Sequence, residues 1–232
     1  MKKIKIIIVD DERLAREEVK AALSCYPDVE VVAEAANADD AKLLIEKHQP
    51  QLVFLDVQMP EKSGFDLLEM LDNVPQIIFT TAFDQYAVKA FEADALDYLV
   101  KPIRDERFAK AMEKARGKLN TTTTNQQIFI KDGSKCYFLK IDEIHLVESM
   151  DNYAVLYFGN KKTFLKRSLN QMEERLDTTT FFRVNRAQII NLAYIGQISH
   201  LPGGKLSISL KNGQVVEVSE RQSVKFKGKL KA

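Results

Sequence analysis

The sequence predicts an α/β doubly wound fold, built on a five-stranded parallel sheet, followed by a mostly-β half. Three observations predict it. Up to Leu119, short apolar runs alternate five times with longer amphipathic ones. From Gln127 onward the runs become short, β-rich and punctuated by turn signals. The charge also changes sign between the two parts, with 17 Lys+Arg against 23 Asp+Glu up to Leu119 and a surplus of +7 beyond it. A chain of 232 residues suits two domains at roughly 100 to 200 residues each. With 45% hydrophobic and 29% charged residues, collagen-like, low-complexity and wholly disordered classes are excluded.

In the first half, Lys5–Val9, Val29–Val32, Leu52–Leu55, Gln76–Thr80 and Asp97–Val100 read as strands. The interior ones are continuously apolar, as strands covered on both faces must be. Arg13–Ser24, Ala38–His48, Gly64–Leu71, Gln85–Ala93 and Asp105–Leu119 carry apolar residues at helical spacing. Right-handed crossovers then put helices on both faces and any site in the crevice at the carboxyl ends of the strands. The segment 120–126, rich in threonine and lacking aliphatic residues, reads as a linker between domains 1–119 and 127–232.

In the second half, strands are read at Gln127–Ile130, Ser134–Leu139, Ile144–Glu148, Ala154–Phe158, Lys162–Leu165, Phe182–Val184, Ile195–Leu201, Leu206–Leu210 and Val215–Val218. Lys131-Asp132-Gly133 and Lys211-Asn212-Gly213 are hairpin signals. One short helix is marked by a Ser168/Gln171 capping box with Leu169, Met172 and Leu176 on one face. No helix-turn-helix pattern is present, so nucleic-acid contacts would have to come from loops or strands. Lys2, Lys3 and Lys5 resemble the start of a signal peptide, but Asp10, Asp11 and Glu12 end the apolar run, and a cytoplasmic protein is expected. Cys25 and Cys136 stand apart without ligand spacing, and His48, His145 and His200 form no recognisable set.

Four strand ends carry reactive side chains: Asp10-Asp11, Asp56, Thr81 and Lys101-Pro102. One carboxylate after a strand ordinarily caps a helix. Three carboxylates on one edge repel unless a cation sits among them, and a cluster of oxygen donors suits Mg²⁺. A metal beside a lysine neutralises phosphoryl oxygens, and a carboxylate can itself accept the phosphoryl group.

Asp10-Asp11, Leu55-Asp56-Val57-Gln58-Met59-Pro60 with Gly64, Thr81-Ala82 and Tyr98-Leu99-Val100-Lys101-Pro102 resemble the receiver domain of bacterial two-component response regulators, with its flavodoxin-like fold. The resemblance covers residues 4–118. It implies Asp56 as phosphoacceptor, with Mg²⁺ held by Asp10, Asp11, Asp56 and the backbone carbonyl of Gln58. It implies Lys101 as partner of the phosphoryl charge, Thr81 and Ala82 at the phosphoryl group, Tyr98 as a switch and a cis Lys101–Pro102 bond. Dimerisation on phosphorylation is expected around Asp84–Ala93 and Leu96–Leu119. A phosphatase with an aspartyl-phosphate intermediate would need an acid two positions after its nucleophile; Gln58 cannot titrate, so a switch rather than a turnover catalyst is expected. Phe83 is expected to screen the site from water.

Basic residues of the second half cluster at Lys161, Lys162, Lys166 and Arg167, at Arg183 and Arg186, and from Arg221 to Lys231, the last group reading as a solvated tail or a contact surface. Phe181–Asn191 concentrates side chains able to grip phosphates and read base edges. Val147-Glu148-Ser149, Asn152-Tyr153 and Phe182-Arg183-Val184-Asn185-Arg186 with Asn191 and Ile195 are similar to LytTR-type DNA-binding domains. Family members commonly carry His at the position of Asn185 and a small hydroxyl residue at that of Ala187. The resemblance implies DNA contacts by Asn152, Arg186 and Arg221, and Arg183, Asn185 and Gln188 join the candidates. The expected function is a DNA-binding response regulator, with a sensor histidine kinase, a repeated duplex site and a second copy as partners and no membrane association. A phosphorylation-switched protein adaptor is the alternative.

Overall fold

The computed structural model describes residues 3–82, 95–119, 126–132 and 135–229, and these form two compact units that divide after Leu139. In the first unit, β1 (Ile4–Val9), β2 (Val29–Ala35), β3 (Leu52–Asp56), β4 (Gln76–Thr81) and β5 (Asp97–Val100) make one parallel sheet in the order β2-β1-β3-β4-β5. The described helices are α1 (Arg13–Leu23), α2 (Ala38–His48), α3 (Gly64–Met70) and α4 (Asp105–Leu119). The helix read at Gln85–Ala93 lies outside the described residues.

Continuous apolar strands arise because both faces are covered. Ile7, Val9, Val53 and Leu55 join one core with Ala41 and Ile45 of α2 and Leu67 and Leu68 of α3. Ile6, Ile8, Leu52 and Phe54 point the other way, against Val19 and Leu23 of α1 and Phe108 and Met112 of α4. Each such side chain contributes about 1.5–3 kcal/mol by leaving water, so the alternation specifies the sheet's position between its helices. Polar residues set the helix starts. Asn37 accepts from the Asp40 N–H at 2.8 Å, and Ser63 forms a reciprocal capping box with Asp66.

The hairpin of β6 (Gln127–Asp132) and β7 (Lys135–Lys140) makes its described contacts with the first unit. The Val74 N–H donates to the Gln127 carbonyl at 2.9 Å, and the Gln127 side chain donates to the Pro75 carbonyl at 3.0 Å. Phe129 is buried with its ring stacked 6.0 Å from Phe65 of α3. The sequence reading places this hairpin at the start of the second domain.

The second unit holds a five-stranded antiparallel sheet in the order β10-β9-β8-β12-β11 and a three-stranded one, β13-β14-β15. The strands are β8 (Ile144–Met150), β9 (Tyr153–Phe158), β10 (Lys161–Leu165), β11 (Phe181–Arg183), β12 (Gln188–Asn191), β13 (Ile195–His200), β14 (Leu206–Leu210) and β15 (Val215–Val218). Leu146, Val184, Ile190, Ile208, Val216 and Val218 share its core. The capped helix α5 (Leu169–Arg175) stands where the capping box predicts it. Besides three short 3-10 turns, the sequence reading lacks one strand, β12, and one α-helix, α6 (Glu220–Lys229), which orders much of the basic segment considered as a solvated tail. Phe226 and Ser223 anchor α6 by burial, a signal too sparse to read among its lysines. Among the described residues, no helix is long and apolar enough to cross a membrane.

Candidate functional site: an acidic crevice and a basic sheet end

The first site lies where β1 and β3 end side by side, the point at which the chain order of the sheet reverses. Each strand delivers a carboxylate there: Asp10 follows β1 and Asp56 ends β3, and both are buried, while Asp11 is exposed. One ligand oxygen from each of the three lies within 4.8 Å of the others. This is the donor set of a hard divalent cation, with one side open to solvent for the water ligands that Mg²⁺ retains.

The surroundings fix these carboxylates in place. Asp10 accepts from the Glu12 N–H at 3.0 Å, and its carbonyl accepts from the Arg16 guanidinium at 2.7 Å. Arg16 in turn faces Glu34 at 3.4 Å. Asp56 accepts backbone N–H bonds from Gln58 and Val57. Burial nevertheless dominates at Asp56, pushing its carboxyl up to about 6 with help from Asp10, against the opposing pull of Lys101. Gly64 closes the loop after Asp56. Its N–H donates to the Val57 carbonyl at 3.0 Å, and a Cβ there would stand 2.3 Å from the Asp56 carbonyl oxygen.

Lys101 enters from the end of β5. Its N–H donates to the Thr81 carbonyl at 2.8 Å, and its ammonium reaches Asp10 at 2.6 Å and Asp56 at 3.8 Å. Burial pulls the ammonium down, but its contact with Asp10 outweighs this and holds its pKa above the ordinary lysine value. The Lys101–Pro102 bond is cis. Thr81 is fully buried at the end of β4, beside the exposed Ala82. Tyr98 is buried in the core of the α2–α3 face, in register with Phe79. Phe83 lies outside the described residues.

In the second unit, antiparallel pairing brings three connections to one end of the large sheet. The β8–β9 turn holds Asp151, at φ 51°, and exposed Asn152; Asp and Asn are among the few residues that accept such a backbone. The Ser149 N–H donates to the Ala187 carbonyl at 2.7 Å, setting the β11–β12 loop beside that turn. The Ser219 N–H donates to the Val184 carbonyl at 3.0 Å, bringing the start of α6 with exposed Arg221 to the same loop.

Within the β11–β12 loop the polar side chains divide. Arg186 is exposed. Arg183 turns inward, donating to Glu173 and Asn170 at 2.6 Å each and to the Arg186 carbonyl at 2.9 Å. Asn185 accepts from the Ala187 N–H at 2.8 Å and donates to the Glu217 carbonyl at 2.9 Å. Gln188 donates to Glu148, which also accepts from the Tyr157 hydroxyl. Buried Asn191 donates to the Ile144 carbonyl at 3.0 Å and accepts from the Ala193 N–H.

Residues 6–113 match the family model of the response regulator receiver domain, and residues 134–231 that of the LytTr DNA-binding domain. The chain belongs to the response regulators that join these two domains. It is 38% identical to the transcriptional regulatory protein BtsR of Salmonella typhi over 230 residues, covering 94% of this chain and 95% of the relative. It is 34% identical to the sensory transduction protein LytT of Enterococcus faecalis over 237 residues, covering 97% and 98%. The solved receiver domain of AraT, a response regulator from Geobacillus stearothermophilus, is 33% identical, covering 50% of this chain and 94% of that one at a TM-score of 0.45.

This response regulator is therefore a DNA-binding protein of a two-component system, and its receiver implies a sensor kinase as partner. The acidic pocket of its receiver is of the kind that binds Mg²⁺. The structure gathers Asp10, Asp11, Asp56 and Lys101 in one crevice, and buried Thr81 is tied to Lys101 through its carbonyl. Sequence reasoning missed Arg16, whose grip on the Asp10 carbonyl has no motif: an arginine on an exposed-looking helix face carries no local signal of what it reaches.

Proposed function

We propose that Asp56 accepts a phosphoryl group from a sensor histidine kinase and that this modification controls how the second domain engages DNA. The observation that carries the reading is the trio of carboxylates within 4.8 Å of one another, with the Lys101 ammonium beside two of them. Asp10, Asp11, Asp56 and the Gln58 carbonyl would hold Mg²⁺, which when bound neutralises charge on the incoming phosphoryl oxygens. An Asp56 oxygen attacks phosphorus as the bond to the donor nitrogen breaks, and the donor imidazole keeps the electron pair. Lys101, a point charge on a flexible stem, then shifts from Asp10 toward the new phosphoryl oxygens. Gln58 offers no group to activate water, so the domain works as a switch and not as an enzyme that turns over.

Thr81 and Ala82 meet the phosphoryl group, and Tyr98 transmits its arrival as a packing change in the α2–α3 core. The phosphorylated form pairs with a second copy, and two DNA-binding domains engage a repeated site with the gain in effective concentration that linkage brings. Asn152, Arg186 and Arg221 face the duplex. Arg183, Asn185 and Gln188 hold the loop that presents Arg186. The protein acts in the cytoplasm.

Labelling with a ³²P-phosphorylated sensor kinase in Mg²⁺ tests this reading. The wild-type chain is expected to take up label and Asp56→Asn to take up none. Label retained by Asp56→Asn would overturn the assignment.

A further inference from the structure

We propose that Lys166, together with Tyr153, forms an outer phosphate-binding contact that extends the DNA footprint beyond Asn152. This rests on the DNA-binding reading of the second domain. In the sheet order β10-β9-β8-β12-β11, β10 runs parallel to β8 and both are antiparallel to β9. The end of β10, the Asp151-Asn152 turn and the β11–β12 loop with Arg186 therefore lie at one end of the sheet, in that lateral order. Four strand spacings of about 4.8 Å make this row about 19 Å long. One DNA strand presents a phosphate about every 3.4 Å of axis, so the row is commensurate with about five or six phosphates. Without β10 the row stops at the Asn152 turn.

The register places the side chains. The β9–β10 ladder ends at Leu165↔Ala154, and Lys166 follows in a bend that the Arg167 N–H closes on the Leu165 carbonyl at 2.7 Å, at the end of the sheet where Tyr153 pairs with Met150 across β8–β9. Lys166 is exposed, Tyr153 is 43% exposed and Met150 55%. An ammonium, a phenol hydroxyl and an apolar surface are thus exposed at the sheet end that carries Asn152. An edge strand commonly bears lysines to block pairing with another sheet. Lys161 and Lys162, within the ladder, serve that purpose; Lys166 lies past the last pair and is not needed for it.

The nearby acids favour the same division of labour. Asp151, exposed at the tip of the turn, repels a phosphate placed over it. The tip accordingly enters a groove and leaves the backbone contact to its flank. Glu148, near the end of β8, is occupied by Tyr157 and Gln188. A lysine at the flank contributes affinity without reading sequence, the division usual between phosphate and base contacts.

The test uses the full chain, a duplex that the wild type selects from a random-sequence pool, and a scrambled duplex, titrated by fluorescence anisotropy at several salt concentrations. Lys166→Gln is expected to weaken both duplexes several-fold alike and to flatten the slope of log affinity against log salt by about 0.9, the increment for one lost phosphate contact. Lys166→Arg is expected to keep the wild-type slope, and Tyr153→Phe to weaken both duplexes by less than Lys166→Gln. Ethylation interference should lose one outermost phosphate in Lys166→Gln. An unchanged slope and interference pattern in that variant, with a flatter slope in Arg186→Gln, overturns this proposal and leaves the DNA reading standing. A wild-type chain whose binding to both duplexes ignores salt overturns both.

Discussion

The ammonium of Lys101 sits 2.6 Å from Asp10 and 3.8 Å from Asp56, so the lysine is held more closely by the carboxylate that is not the proposed phosphoacceptor. This leaves Asp56 buried with less compensation than its neighbour, which is why its carboxyl rises to about 6. Removing its charge should relieve the pocket. Asp56→Asn is expected to stabilise the Mg²⁺-free protein by on the order of 2 kcal/mol at pH 7, since each unit of pKa shift corresponds to about 1.4 kcal/mol. Urea unfolding with and without Mg²⁺ checks this, and the stabilisation given by Mg²⁺ should shrink in the variant.

Lys101→Met should act in the opposite direction. It strands two buried carboxylates without their cation, and breaking a buried pair from one side costs about 3–5 kcal/mol. The same unfolding experiment in Mg²⁺-free buffer reads the loss, and added Mg²⁺ should restore part of it.

Gly64→Ala places a methyl group 2.3 Å from the Asp56 carbonyl oxygen, a backbone atom that cannot turn away. The loop between Asp56 and α3 must then shift, at about 1–3 kcal/mol of stability. Phosphorylation by the kinase should slow by at least about tenfold, the scale of loss when metal-site supports are disturbed. Calorimetric Mg²⁺ affinity and the rate of label uptake measure both effects.

Phe129 is 3% exposed and packs on Phe65, although it lies 64 residues along the chain. Phe129→Ala should cost the first unit about 3–5 kcal/mol. A chain ending at Lys140 should also melt higher than one ending at Leu119, because only the longer one keeps the hairpin. Equal midpoints for the two truncations would show that the hairpin adds nothing to the unit it covers.

His145 is buried beside Gln214, and burial lowers its pKa below the ordinary histidine value. Between that lowered value and about 6.5 the unfolded chain binds the extra proton and the folded one does not, so stability falls as pH drops through this window. His145→Gln should flatten that slope in denaturant unfolding followed from pH 7.5 to 5.

The LytTR half gives a separable pair. Arg186→Ala should weaken DNA binding by about 1–3 kcal/mol at an unchanged melting temperature if Arg186 reaches a base edge. Arg183→Ala removes the ties to Glu173, Asn170 and the Arg186 carbonyl, so melting temperature and DNA affinity should fall together. Anisotropy and thermal melts on the same samples distinguish the two outcomes.

The receiver half was legible in the sequence because its chemistry follows strand ends. Asp10-Asp11, Asp56, Thr81 and Lys101 each come directly after or at the end of an apolar run, and a parallel sheet lines such ends along one edge. The LytTR half was less legible. Its β12 strand, Gln-Ile-Ile-Asn, is short and has polar residues at both ends, so no period could form. Helix α6 is buried at only Ser223 and Phe226 among the described residues.

The order of residues alone was enough for the two-part architecture, the layers of the first sheet and the gathering of three carboxylates at one sheet edge, because period, turn chemistry and strand order are local properties of the chain. Only the tertiary structure decided which polar groups are spent inward. It gave Arg183 to Glu173, Asn185 to the Ala187 N–H and Lys101 to Asp10, and it left Arg186 and Lys166 at the surface. Residue type cannot make that choice, because a guanidinium or an amide binds a neighbouring loop or a duplex with the same donors, and what it meets depends on segments far away along the chain.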